Sequence, residues 1–229
     1  MRRFNRRDLV VLAVLGGLLA YALFHNASLS RAQLIFFAVV IPSIILHEIS
    51  HGVAALAFGD DTAKRAGRLT LNPIAHVDPF GTIIMPALLI LANAPVIGFA
   101  KPVPVNPNRM RHPRNDSLVV SLVGPLTNLA LVVVATVAWR QYRPQGTVGQ
   151  VLLTAGFANV ILFVFNLIPI PPLDGSAVLE RLMPSSWWPG YLRFRQYSMA
   201  ILLLVFLLLP GLFGRILNPA LNEWQKLLR

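Results

Sequence analysis

The sequence contains no cysteine and little charge: only 13% of its 229 residues are Asp, Glu, Lys or Arg. Without cysteine there can be no disulfide framework and no thiolate-held metal, so any metal must be bound by histidine and carboxylate. The shortage of charge excludes a water-soluble globule, which ordinarily needs about a quarter of its residues charged. Acidic residues are scarcest, nine against 20 Lys and Arg, for a net charge of +11. Those basic residues stand in short clusters between apolar runs and make no continuous basic face. That pattern sets topology against anionic lipid and argues against a nucleic-acid partner. The chain also shows no internal repeat, no low-complexity segment and no linker long enough to separate a soluble domain.

What is present is hydrophobic, at 55% of residues with a mean hydropathy of +0.64. Crossing a hydrocarbon core of about 30 Å takes about 17–25 helical residues. Apolar stretches of about that length lie at about 9–25, 32–58, 117–139, 148–168 and 198–213. The first follows four arginines and lacks a small-x-small cleavage site, so it reads as a transmembrane helix and not as a signal peptide. A sixth stretch, 82–100, is broken by Pro86 and Pro95. It is expected to enter the membrane and return, because a full crossing would carry the basic residues of 101–114 outside. With the hairpin and a cytosolic N-terminus, 14 of the 20 Lys and Arg fall on the cytosolic side.

The expected fold is therefore an all-α polytopic membrane protein with about five transmembrane helices and a re-entrant hairpin. It forms one membrane-embedded domain over residues 1–229, with a core of about 31–183 and peripheral helices at about 9–25 and 198–213. The alternation Arg68-Leu69-Thr70-Leu71-Asn72 and the segment Val103-Pro104-Val105 predict a small β element. Trp187 and Trp188 suit an interfacial anchor, and His25 and His112 suit solvated loops. Seventeen Arg against three Lys suggests a GC-rich bacterial genome, and the expected setting is a bacterial cell membrane.

Within the second apolar helix stands His47-Glu48-Ile49-Ser50-His51, an H-E-x-x-H pattern. A spacing of four places both imidazoles on one helix face, where they can meet one zinc ion. Glu48 then lies beside the metal and can take a proton from water there. The plainer reading is a pair of core histidines. Against it, an ionisable Glu in a membrane span costs about 2.5 kcal/mol or more unless paired or hydrated, so such residues are functional by default.

A hydrolytic zinc site takes three protein ligands and leaves one position open. Among Asp8, Asp78, Asp116 and Asp174, only Asp174 has an unusual backbone setting, after Pro169, Pro171 and Pro172 and before Gly175. Both helices that carry the proposed ligands run toward the cytosol, which brings Asp174 to the depth of His47 and His51. The other reading of Asp174 is a turn cap.

His47-Glu48-Ile49-Ser50-His51-Gly52 and Asn166-Leu167-Ile168-Pro169-Ile170-Pro171-Pro172-Leu173-Asp174-Gly175 resemble the two signature motifs of the site-2 protease family of intramembrane metalloproteases. The resemblance spans about residues 31–183. It implies one zinc ion held by His47, His51 and Asp174, Glu48 as general base, and cleavage of membrane-spanning protein substrates. Asn72, Pro73, His76, Asp78, Pro79 and Gly81 resemble a further motif of a compact bacterial branch, and Gly124, Pro125 and Asn128 a G-P-x-x-N motif. Neither a PDZ-like nor a CBS-like insertion is seen, so a minimal catalytic core is expected. Asn128 is a candidate catalytic residue facing a developing oxyanion, or else a helix-to-helix hydrogen bond. His76 and Asp78 are either functional or a turn-stabilising pair. The competing function is a non-hydrolytic metal-binding or metal-transporting membrane protein, although transporters commonly show internal repeats.

Overall fold

A computed structural model of the chain describes residues 17, 30–85 and 98–229. Four helices among them are long and apolar enough to cross a membrane: Arg31–Ala57 (α1), Pro113–Tyr142 (α2), Gly146–Asn166 (α3) and the stretch Ser185–Leu208. The last contains a single 3₁₀ turn followed by α5, Trp188–Leu208, and a short helix α4, Ser176–Leu182, precedes it. The chain is thus a helical, multi-pass membrane protein. Of the apolar segment 9–25 only residue 17 is described, and residues 86–97 of the segment 82–100 lie outside the described residues.

The helix ends follow from local chemistry. Ser30 and Gln33 form a capping box: the Gln33 amide donates to Ser30 Oγ at 3.3 Å and the Ser30 amide to Gln33 Oε1 at 2.8 Å. At the start of α2, Pro113 occupies the first turn, where no amide donor is needed, and Asp116 accepts from the His112 amide at 2.7 Å. Arg143 closes α2 in the left-handed conformation, φ 42°. The turn reverses the chain, and α3 returns antiparallel to α2 along its length. The expected 198–213 segment is divided differently. Helix α5 ends at Leu208, and Pro210 starts a separate helix α6, Pro210–Leu227, as proline commonly does at a first turn. Helix α6 packs on α3, where Trp224 joins Val132 and Val160 and donates to Thr136 Oγ1 at 2.9 Å. A Cβ on Gly156 would fall 2.3 Å from the Trp224 ring, so that helix approach requires glycine.

The described residues fall in two compact units. In the first, residues 72–85 and 98–102 are laced together. Asn72 caps the 3₁₀ turn Pro73–His76, and Asp78 Oδ1 accepts from the amides of Phe80 and Gly81 at 3.0 and 2.7 Å. Thr82 Oγ1 donates to the Phe99 carbonyl, the Phe99 amide to Gly81 and the Lys101 amide to His76. Asp78 therefore has the turn-stabilising geometry, and His76 is buried in the same turn region.

The second unit contains residues 35–71 and 103–229. At the end of α1 the buried Asp60 accepts from the Asn106 amide at 2.6 Å and from the amide and hydroxyl of Thr62. Burial pushes the Asp60 carboxyl up, but these donors outweigh it and hold it below the usual carboxylate range. The Arg111 amide also donates to Phe58 O at 3.2 Å. Asp60 thus ties the end of α1 to the segment that leads into α2.

The expected β element is not there: among the described residues no strand forms, and 68–72 and 103–105 are irregular. The second segment keeps few main-chain donors for a ladder. Pro102 and Pro104 have none, the Val103 amide goes to Glu48, and the Asn106 amide goes to Asp60.

Candidate metal centre

Helix α1 places His47 and His51 one turn apart with both rings buried, 4.7 Å between centroids and nearly perpendicular. The His51 Nδ1 lies 2.7 Å from the Val120 carbonyl, and His47 Nδ1 lies 2.6 Å from Asn128 Oδ1. A carbonyl can only accept, so His51 donates through Nδ1 and its Nε2 carries a lone pair. The Nε2 atoms of both rings turn toward each other, 3.1 Å apart.

Asp174 completes the group. The three prolines end α3, and the Gly175 amide turns back onto the Asn166 carbonyl at 2.6 Å. A Cβ on Gly175 would fall 2.2 Å from the Leu167 carbonyl, so room, more than an unusual φ, demands glycine there. The turn sends Asp174 Oδ2 to 3.0 Å from His47 Nε2 and 3.4 Å from His51 Nε2. That oxygen is buried and makes no hydrogen bond.

Three potential ligand atoms thus converge, the carboxylate oxygen making no hydrogen bond, an arrangement that a cation between them would satisfy. Two ligands each about 2.0–2.1 Å from a tetrahedral zinc ion stand about 3.3 Å apart, close to all three separations. His47, His51 and Asp174 fit a metal ion, and they are the group among the described residues with ligand atoms close enough to share one. Gly124 leaves the space: a Cβ there would lie 2.4 Å from His51 Nε2 and 2.7 Å from His47 Cε1.

The model of peptidase family M50 matches residues 140–209. The chain is 36% identical over 192 residues to a Bacillus subtilis protein named "Putative zinc metalloprotease YwhC", covering 80% of this chain and 84% of that one. The chain belongs to peptidase family M50, the site-2 protease family. Two Rip2 proteins named in the same words are also similar. The one from Mycobacterium tuberculosis is 31% identical over 94% of this chain and 80% of its own length. That from Mycolicibacterium smegmatis is 30% identical over 80% of this chain and 66% of its own length. No solved structure matches the chain.

In this M50 chain Glu48 is half-buried, and its Oε2 accepts from the Val103 amide at 2.8 Å. Arg68 is buried within the electrostatic reach of Glu48: burial pulls its guanidinium down from the ordinary value, and the Glu48 carboxylate counters this. Asn128 is fully buried, with its oxygen facing His47 and its amide nitrogen donating to Asn159 Oδ1 at 2.8 Å. Its geometry is that of the helix-to-helix hydrogen bond.

Sequence reasoning passed over Ser43, Asn159, Arg68 and the Val103 amide. An asparagine amid the apolar residues of α3 was the available signal for Asn159. Val103 offered none, because its donor belongs to the main chain.

Proposed function

We propose that this chain is an intramembrane zinc metalloendopeptidase that hydrolyses peptide bonds in or near the transmembrane helices of other membrane proteins. The observation that carries the proposal is the convergence of His47 Nε2, His51 Nε2 and the orphaned Asp174 Oδ2. Three ligands leave a fourth position for a hydrolytic site. When bound, zinc supplies a Lewis acid that polarises the scissile carbonyl and lowers the pKa of water.

In this proposal the chain's own residues do the remaining work. Glu48 accepts the proton of the attacking water and delivers it to the leaving amine, so atoms and charge balance over the hydrolysis. The Val103 amide, bonded to one carboxylate oxygen, limits the orientations the other can take. Asn128 positions His47. The substrate helix must unwind to expose its scissile bond, since a helical carbonyl is already hydrogen-bonded.

Further parts of the proposal concern placement. We take the core to be about residues 31–183, with 82–100 a re-entrant hairpin, the N-terminus cytosolic and the setting a bacterial cell membrane. The ties between 76–82 and 99–101 support the hairpin, because its two ends meet. The bonds from Asp60 to Asn106 and from Arg111 to Phe58 support a return to the side where α1 ends. In this cysteine-free chain, single cysteines at Lys64 and Asn108 should both react with an impermeant label from the cytosolic side only. Reaction from opposite sides would overturn the hairpin.

The function is tested on the purified full chain in liposomes with a single-span protein substrate. Elemental analysis should give one zinc per chain, and cleavage should stop on chelation and return on adding zinc. Zinc that binds and crosses the bilayer without cleavage of any spanning peptide would establish the transport reading in its place.

A further inference from the structure

The two histidines are oriented by different means. For His51 the matter is settled in one step, because its Nδ1 faces a backbone carbonyl. The partner of His47 is an amide side chain, which can present either an acceptor or a donor. If Asn128 turned its nitrogen to the ring, His47 Nδ1 would have to accept, Nε2 would carry the proton, and no lone pair would face the metal.

The packing decides which end is presented. The hydroxyl of Ser43 donates to the Val39 carbonyl at 2.9 Å and so offers only lone pairs to its other neighbour. That neighbour is Asn159 Nδ2, 2.9 Å away, which also lies 2.9 Å from the Ala155 carbonyl. Both contacts are acceptors, so this end of Asn159 must be its NH₂. Its oxygen therefore faces Asn128 at 2.8 Å, and the Asn128 end it meets must be a donor. The Asn128 oxygen is left for His47, 2.6 Å away, which must donate through Nδ1. Asn128 and Asn159 are exposed by 0% and 1%, so water cannot substitute for a missing partner.

We infer that Asn159, through Asn128, is a positioning residue that fixes the tautomer of His47 and so keeps its Nε2 lone pair directed at the zinc position. The polarity originates in two backbone carbonyls, Val39 in α1 and Ala155 in α3, and passes through three side chains to the ring. The inference rests on reading His47 as a zinc ligand, and its test keeps the two apart.

Zinc affinity of the full chain is measured by chelator competition, and the His47 tautomer by nitrogen NMR of the histidine-labelled, metal-free protein. Asn159→Ala should weaken zinc binding by about 10–100-fold, the usual effect of losing an outer-sphere partner, and should move the His47 proton from Nδ1 toward Nε2. Adding Asn128→Asp should restore both, because an aspartate presents acceptors at both ends and needs no relay. A loss caused only by the cavity at 159 would not be rescued. If Asn159→Ala does not fold, Asn159→Ser is read in the same way, since one hydroxyl cannot bridge both sides. Wild-type affinity and an unmoved proton in the single variant, or failure of the double variant to recover, would overturn the relay. A wild-type chain that binds no zinc would instead sink the metallopeptidase reading, while the tautomer measurement would still judge the relay.

Discussion

Glu48→Gln should leave zinc bound and slow cleavage by about 10²–10⁴-fold, the range a positioned acid–base group contributes. Glutamine keeps the length and shape of glutamate, and its oxygen can still accept from the Val103 amide, so the segment 103–106 keeps its anchor. Neither imidazole changes. What disappears is the capacity to accept and pass on a proton. Zinc affinity by chelator competition and cleavage of a reconstituted spanning substrate are measured on the same preparation. A variant that cleaves at the wild-type rate would show that another group moves the proton. A variant that loses zinc together with activity would make Glu48 part of the metal's support.

The second large effect is expected at Asp174. Asp174→Ala should reduce zinc affinity by more than the roughly 100-fold that outer-sphere changes reach, because a ligand and the cluster's negative charge vanish together. The remaining His47 and His51 present two neutral nitrogens 3.1 Å apart, which bind a dication less firmly than a set containing a carboxylate. Full zinc occupancy in this variant under the same competition would refute the third ligand, whatever its effect on cleavage.

What the sequence reveals about this site follows from how local each relation is. His47, Glu48 and His51 were legible because helical geometry alone puts residues four apart on one face. Asp174 was legible because prolines and a glycine mark a forced turn, and because topology sets its depth. The chain from Ser43 through Asn159 to His47 was not legible. Its bonds join residues 116, 31 and 81 positions apart, and those distances are fixed only when α1, α2 and α3 pack. The strand reading of 68–72 and 103–105 failed for a related reason. Alternation describes which side chains share a face, but a ladder also needs main-chain donors: Arg68 gives its amide to the Ala63 carbonyl, and Val103 and Asn106 give theirs to distant carboxylates.

The Val103 amide has a consequence for how this protein can change over time. Every amino acid except proline supplies the same main-chain donor, so the hydrogen bond to Glu48 does not itself read the side chain at position 103. What position 103 must supply is a small apolar side chain that fits its buried place, and a survey that truncates side chains one by one would pass over the amide itself. Heritable control of the carboxylate's aim lies instead in whatever shapes the path of the chain there: Pro102 and Pro104 on either side, and Asp60, which grips the Asn106 amide from the end of α1.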